Sequence, residues 1–158
     1  MSELTRREMF VGLSAIAALG VTVTGVTMEA QTPAAASETG VLSEAKVYPY
    51  NEMPVRKMAN GGESRDVLRG QLPTGEIIAV HESLQPAGMK ANAPHTIQHT
   101  EVIVVVEGTL EFEHDDKSEK VGPGGVILVA TGTLHTVCNV GDGPARYCVV
   151  QVGGDTKK

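Results

Sequence analysis

Aromatic side chains are almost missing from this 158-residue chain, which has no tryptophan, two phenylalanines and three tyrosines. That scarcity argues against sugar recognition by ring stacking. Basic runs are missing as well. Thirteen Lys and Arg stand against nineteen Asp and Glu, a formal charge of -6, and no basic stretch is interleaved with aromatics. Nucleic acid is therefore excluded as a partner. No long amphipathic helical pattern and no internal repeat appear, and nothing after residue 26 is long and apolar enough to span a membrane. Cysteine is scarce: Cys138 and Cys148 flank a predicted hairpin turn, Gly141-Asp142-Gly143-Pro144. They can face each other across that turn and oxidise outside the cytoplasm, or serve as two small buried hydrophobes.

What is present begins at the N-terminus. Thr5-Arg6-Arg7-Glu8-Met9-Phe10 precedes an uncharged run, Val11 to Val26, rich in Gly, Ala, Ser, Thr and aliphatic residues. Paired arginines ahead of a moderately apolar run resemble the twin-arginine export signal of bacteria. Ala34-Ala35-Ala36 offers small residues for a peptidase, so cleavage is expected before Ser37. The resemblance implies a periplasmic or otherwise exported protein that meets the membrane only through its signal. That route carries folded proteins, so a metal can be inserted in the cytoplasm, away from competing copper and zinc. The expected organisation is a signal over 1–36, an N-terminal tail over 37–62, one domain over 63–154 and a C-terminal tail over 155–158. The tail around Tyr48 to Met58 has little periodicity and is expected to lie against a barrel edge or a second subunit.

Short strands with Gly/Pro turns fill the domain. They are predicted at Arg65 to Gln71, Glu76 to Leu84, His99 to Val106, Thr109 to Glu113, Val126 to Val129, His135 to Val140 and Arg146 to Val152. The pattern is all-β, a barrel or a sandwich. His114 opens a predicted polar turn, His114 to Lys117, and is expected to be solvated. His81 falls in the second strand, where parity alone does not choose its face.

The chemistry gathers between Gly88 and Asn139. His95, His99 and Glu101 share strand parity with Ile97, Ile103 and Val105, which would put imidazoles and a carboxylate among inward apolar residues. Such groups are costly to bury unless paired or bound to a metal. With His135 they are spaced to suit one ion. Gly88, His95, Glu101 and Gly108, followed by Gly124, Gly132, His135 and Asn139, resemble the two ordered motifs of the cupins. The resemblance covers roughly Asp66 to Gly153 and implies a double-stranded β-helix, or jelly-roll barrel. Two positions depart from it. Ala130 stands where the family has proline, and Ile97 stands where it has its second metal histidine.

His99, two residues on, is expected to replace that ligand. The resemblance then implies a divalent metal held by His95, His99, Glu101 and His135, iron or manganese before zinc, nickel or copper, with Glu101 as ligand or catalytic base. It also implies a homodimer. The expected function is a metal-dependent enzyme of dioxygenase, isomerase or lyase type acting on a small organic substrate. The alternative is a non-catalytic periplasmic cupin that binds a metal or a small ligand.

Overall fold

The computed structural model describes residues 40–154. The export signal over 1–36, its cleavage point and the C-terminal tail over 155–158 lie outside the described residues. A short 3-10 helix, Tyr50–Glu52, precedes nine strands: β1 Val55–Lys57, β2 Glu63–Gln71, β3 Ile77–Gln85, β4 Thr100–Glu107, β5 Leu110–His114, β6 Lys117–Val121, β7 Val126–Val129, β8 His135–Asn139 and β9 Ala145–Val152. They form a six-stranded sheet in the order β1-β2-β3-β9-β4-β7 and a three-stranded sheet in the order β6-β5-β8. All named pairings are antiparallel. β9 returns from the C-terminal end and inserts between β3 and β4, so the last strand closes the middle of the larger sheet.

Alternation in the strands decides what faces inward. Glu101, Ile103 and Val105 of β4 pair with Gln151, Val149 and Tyr147 of β9. On its other edge β4 sets Glu101 and Ile103 opposite Val129 and Ile127 of β7. Leu110 and Phe112 of β5 complete the core cluster. Leu110 is fully buried and Val105 is 1% exposed. Each such aliphatic side chain contributes about 1.5–3 kcal/mol through removal from water.

Every predicted strand is present, with ends shifted by a residue or two. Two strands were not anticipated. β6 is charged and solvent-facing until Val121, so it carries no apolar period. The predicted turn from His114 to Lys117 is narrower than expected, because both of those residues are paired strand ends. Only Asp115 and Asp116 turn, both at positive φ (45° and 60°), as a two-residue hairpin of this twist requires. β1 is the other: part of the tail pairs with β2, and Val41 bridges Gln71 on the same strand. The tail thus lies on the edge of its own barrel.

Candidate ligand site

Glu101 is buried, at 8% exposure, because β4 turns it to the side of Ile103 and Val105. Its register partner Gln151 donates from Nε2 to Glu101 Oε1 at 2.9 Å. The chain bends at Gln98–His99, just before β4 begins, and His99 Nε2 donates to the same oxygen at 2.9 Å. A buried imidazole, 7% exposed, is therefore held against a buried carboxylate that also carries an amide bond.

The second pair is built differently. His95 and His135 exchange two backbone hydrogen bonds, each 3.0 Å, as an isolated antiparallel bridge. Their rings stand 4.7 Å apart, tilted by 44°. His135 is 3% exposed and its Nδ1 donates to Thr133 O at 3.0 Å, which leaves the lone pair of the neutral ring on Nε2. His95 is exposed at the rim. Ile97, 7% exposed, lies between the two pairs in sequence and in the same wall.

Both pairs line one cavity of about 270 Å³ inside the barrel. Its other walls include Arg56, Ser64, His81, Ser83, Tyr147 and Val149. His81 is the residue that sequence parity left undecided. Pairing of β3 with Asp66 on one side and Val149 on the other turns its ring to the cavity. Burial lowers its pKa, and the charges of Glu101 and Asp66 oppose that shift. Burial also raises the Tyr147 pKa, against hydrogen bonds from Ser83 and Gln85. His114, expected to be solvated, is instead tied to Glu119 at 2.8 Å and Asp115 at 3.2 Å, with its ring stacked on Phe112. Those two carboxylate bonds, Glu119 first, raise its pKa.

The sequence model of the cupin domain matches residues 80–151. No curated protein matches the chain in sequence. Solved structures do match in shape. A predicted oxalate decarboxylase from Thermotoga maritima superposes with a TM-score of 0.57 at 17% identity, covering 68% of this chain and 98% of its own. An RmlC-like cupin from Shewanella frigidimarina gives 0.58 at 13%, covering 70% and 94%. A cupin-superfamily sugar phosphate isomerase from Silicibacter pomeroyi gives 0.55 at 18%, covering 67% and 74%. The barrel has the cupin fold. At these identities the likeness carries the fold and nothing of the chemistry.

The cupin motif residues have visible tasks here. Gly88, Gly108, Gly124 and Gly132 all sit at positive φ, where the chain turns between strands. Asn139 donates from Nδ2 to Gln85 O and Gly143 O and accepts from Gly141 N, which staples the loop between β8 and β9. Those two strands lie in different sheets of the cupin barrel, so the hairpin suggested for Gly141 to Pro144 does not form. Cys138 and Cys148 accordingly do not face each other, and both thiols are free.

Metal donors are the point on which this barrel departs from what its motifs suggest. The four residues His95, His99, Glu101 and His135 reach one cavity, but among the described residues no group of three or more His, Cys, Asp or Glu is arranged to hold a metal ion. His99 Nε2 and one carboxylate oxygen of Glu101 are bonded to each other, that oxygen is also bonded to Gln151, and Ile97 offers no donor; His135, with Nδ1 on Thr133 O, keeps the lone pair of Nε2. As arranged, this donor set does not fit a metal.

Proposed function

We propose that this cupin binds a small organic ligand in the barrel cavity and that the buried His99–Glu101 pair exchanges a proton with it. The observation that carries the reading is this pair, 2.9 Å apart and opening on the 270 Å³ cavity. A carboxylate behind an imidazole fixes its tautomer and stabilises the imidazolium formed when the ring takes a proton. Aliphatic walls at Ile97, Ile103 and Val149 exclude water and strengthen that interaction. Proton transfer of this kind is a step that isomerase and lyase reactions share. With no turnover the same cavity is a plain small-ligand site.

A divalent metal, with iron or manganese favoured, is the second reading, and one observation favours it: all four candidate donors line the same cavity. It requires His99 and Glu101 to give up the hydrogen bond between them. Metal analysis of protein purified from its native compartment separates the readings, combined with a thermal-shift screen of small polar organic compounds. The proton-exchange reading expects substoichiometric metal and at least one stabilising compound, whose effect disappears in His99→Gln. One tightly held equivalent, lost in His135→Ala, would replace it with a metal centre. A broad panel without any stabilising compound would remove the ligand site altogether.

Export and self-association belong to the same proposal. Arg6-Arg7 ahead of the uncharged run supports the periplasm. For a homodimer the support is the outer face of edge strand β7, where Val126 and Leu128 are 60% and 66% exposed. Fractionation should find the mature protein outside the cytoplasm, and the Arg6→Lys, Arg7→Lys precursor inside it. Light scattering should give a dimer that Leu128→Lys converts to a monomer, and a monomeric wild type would refute the association.

A further inference from the structure

We propose that His81 is a catalytic residue of this cavity. Its ring N–H holds the ligand oxygen that gathers charge while the His99–Glu101 pair moves a proton at the adjoining carbon, so the ligand is a small hydroxy-carbonyl compound. The proposal rests on the proton-exchange reading above and adds the second contact and the chemical class. Strand parity places the ring. Ala79, Ser83 and Gln85 of β3 are buried, and His81 lies in phase with them, so its side chain enters the barrel and lines the cavity. There it has no hydrogen-bond partner among the described residues. Register pairs His81 with Val149 of β9, and Val149 with Ile103 of β4, two residues from Glu101. His81 and Glu101 therefore stand two strands apart in one wall, roughly 12 Å between their backbones. One small molecule can touch both.

An imidazole held in a barrel wall without a partner is costly, and a ligand that bonds to it offsets the cost. Burial lowers the pKa of the ring and keeps it neutral at pH 7, so it presents one N–H and one lone pair. Its surroundings also suit oxygen. The next rung of the sheet sets Ser64 opposite Ser83 and Ser83 opposite Tyr147, three hydroxyls in a row on the cavity wall. The Tyr147 oxygen accepts from Gln85 Nε2 at 2.8 Å, which leaves its own O–H to give. When the His99–Glu101 pair takes a proton from the carbon beside a carbonyl, the C–H electron pair forms a C=C bond and the carbonyl π pair moves to oxygen. His81 donates to that oxygen, and the hydroxyl row takes the ligand's hydroxyl groups. Return of the proton to the same carbon restores the carbonyl, so the exchange consumes no other reactant. The volume, about 270 Å³ or the space of roughly nine waters at ~30 Å³ each, admits a compound of three or four carbons.

The test follows deuterium from heavy water into hydroxyacetone, dihydroxyacetone and erythrulose by NMR, with the full chain and three variants. Wild type should exchange the hydrogens beside the carbonyl of at least one of these ketones faster than buffer, and His99→Gln should lose that exchange. His81→Leu should lower it about a hundredfold, the scale of one lost donor to a developing oxyanion. His81→Gln keeps an N–H and should retain at least about a tenth of the wild-type rate. Because the imidazole has no partner to lose, His81→Leu should melt no lower than wild type. Exchange that persists in His81→Leu but disappears in His99→Gln would overturn the role of His81 and leave the pair in place. A loss as large in His81→Gln as in His81→Leu would overturn the donated bond. So would a lowered melting temperature in both variants, which would make the ring a structural part of the wall. No exchange of any ketone by the wild type would overturn the hydroxy-carbonyl class and leave the pair to the compound screen above. Exchange that survives in His99→Gln would overturn the pair, and the role of His81 with it.

Discussion

Gly108→Val is expected to leave the barrel unfolded, or to lower its melting temperature by at least roughly 15 °C. Gly108 links β4 to β5 at φ 79°, a conformation that costs a residue with a Cβ about 1–2 kcal/mol. The larger penalty is steric. A Cβ there would lie 2.5 Å from Pro144 O and 2.7 Å from Ala145 Cα, where β9 starts, and Ala145 is fully buried. Neither backbone atom can move without displacing the strand that closes the larger sheet. Overpacking of this kind adds about 1–3 kcal/mol, and a branched side chain sits at the upper end. The sum, about 4 kcal/mol, is comparable with the whole stability of a marginal domain. Gly124→Ala is the matched control. Gly124 has nearly the same φ, 80°, but nothing within 4 Å of a Cβ, so it should lose only the conformational part, about 1 kcal/mol. Equal melting temperatures for the two variants would show that the β4–β5 turn does not press on β9.

Glu101→Ala carries the other large expected effect, a loss of about 3 kcal/mol, or roughly 10 °C or more in melting temperature. The substitution removes the acceptor shared by His99 and Gln151 and strands two donors in a buried wall. His99→Ala removes one donor and leaves Gln151 bonded, so it should cost less. The double variant His99→Ala, Glu101→Ala should cost clearly less than the sum of the two, because the second change removes a group already orphaned by the first. Strict additivity in denaturant unfolding would mean that the pair is not coupled, and the proton-exchange role would lose its physical basis.

The charge pairing in this wall also explains why the cavity was only partly visible in the amino-acid sequence. His95, His99, Glu101 and His135 could be picked out because period-two parity and motif spacing are local properties of the chain. All four do reach one cavity. Their grouping into two pairs was not legible, since it depends on His135 bridging to the distant His95 and on Gln151, fifty residues from Glu101, arriving beside it on β9. Arg56, on the cavity wall, gave no signal at all. An arginine in a strand reads as a solvated residue until the fold shows where its guanidinium ends up.

Strand number and position were largely determined by sequence, because alternation and Gly/Pro punctuation act over a few residues. The all-β class, the inward face of β4 and the turn positions of Gly88, Gly108, Gly124 and Gly132 follow from such short-range rules. β6 escaped them: a strand that buries almost nothing, Lys117–Val121, has no apolar rhythm to read. Tertiary structure alone decided which strands became neighbours. It placed β9 between β3 and β4, turned His81 to the cavity and separated Cys138 from Cys148 onto different sheets. The physical reason is common to all three. Pairing between distant strands is set by how the whole apolar surface closes around one core, a condition on the entire chain that no short window of residues contains.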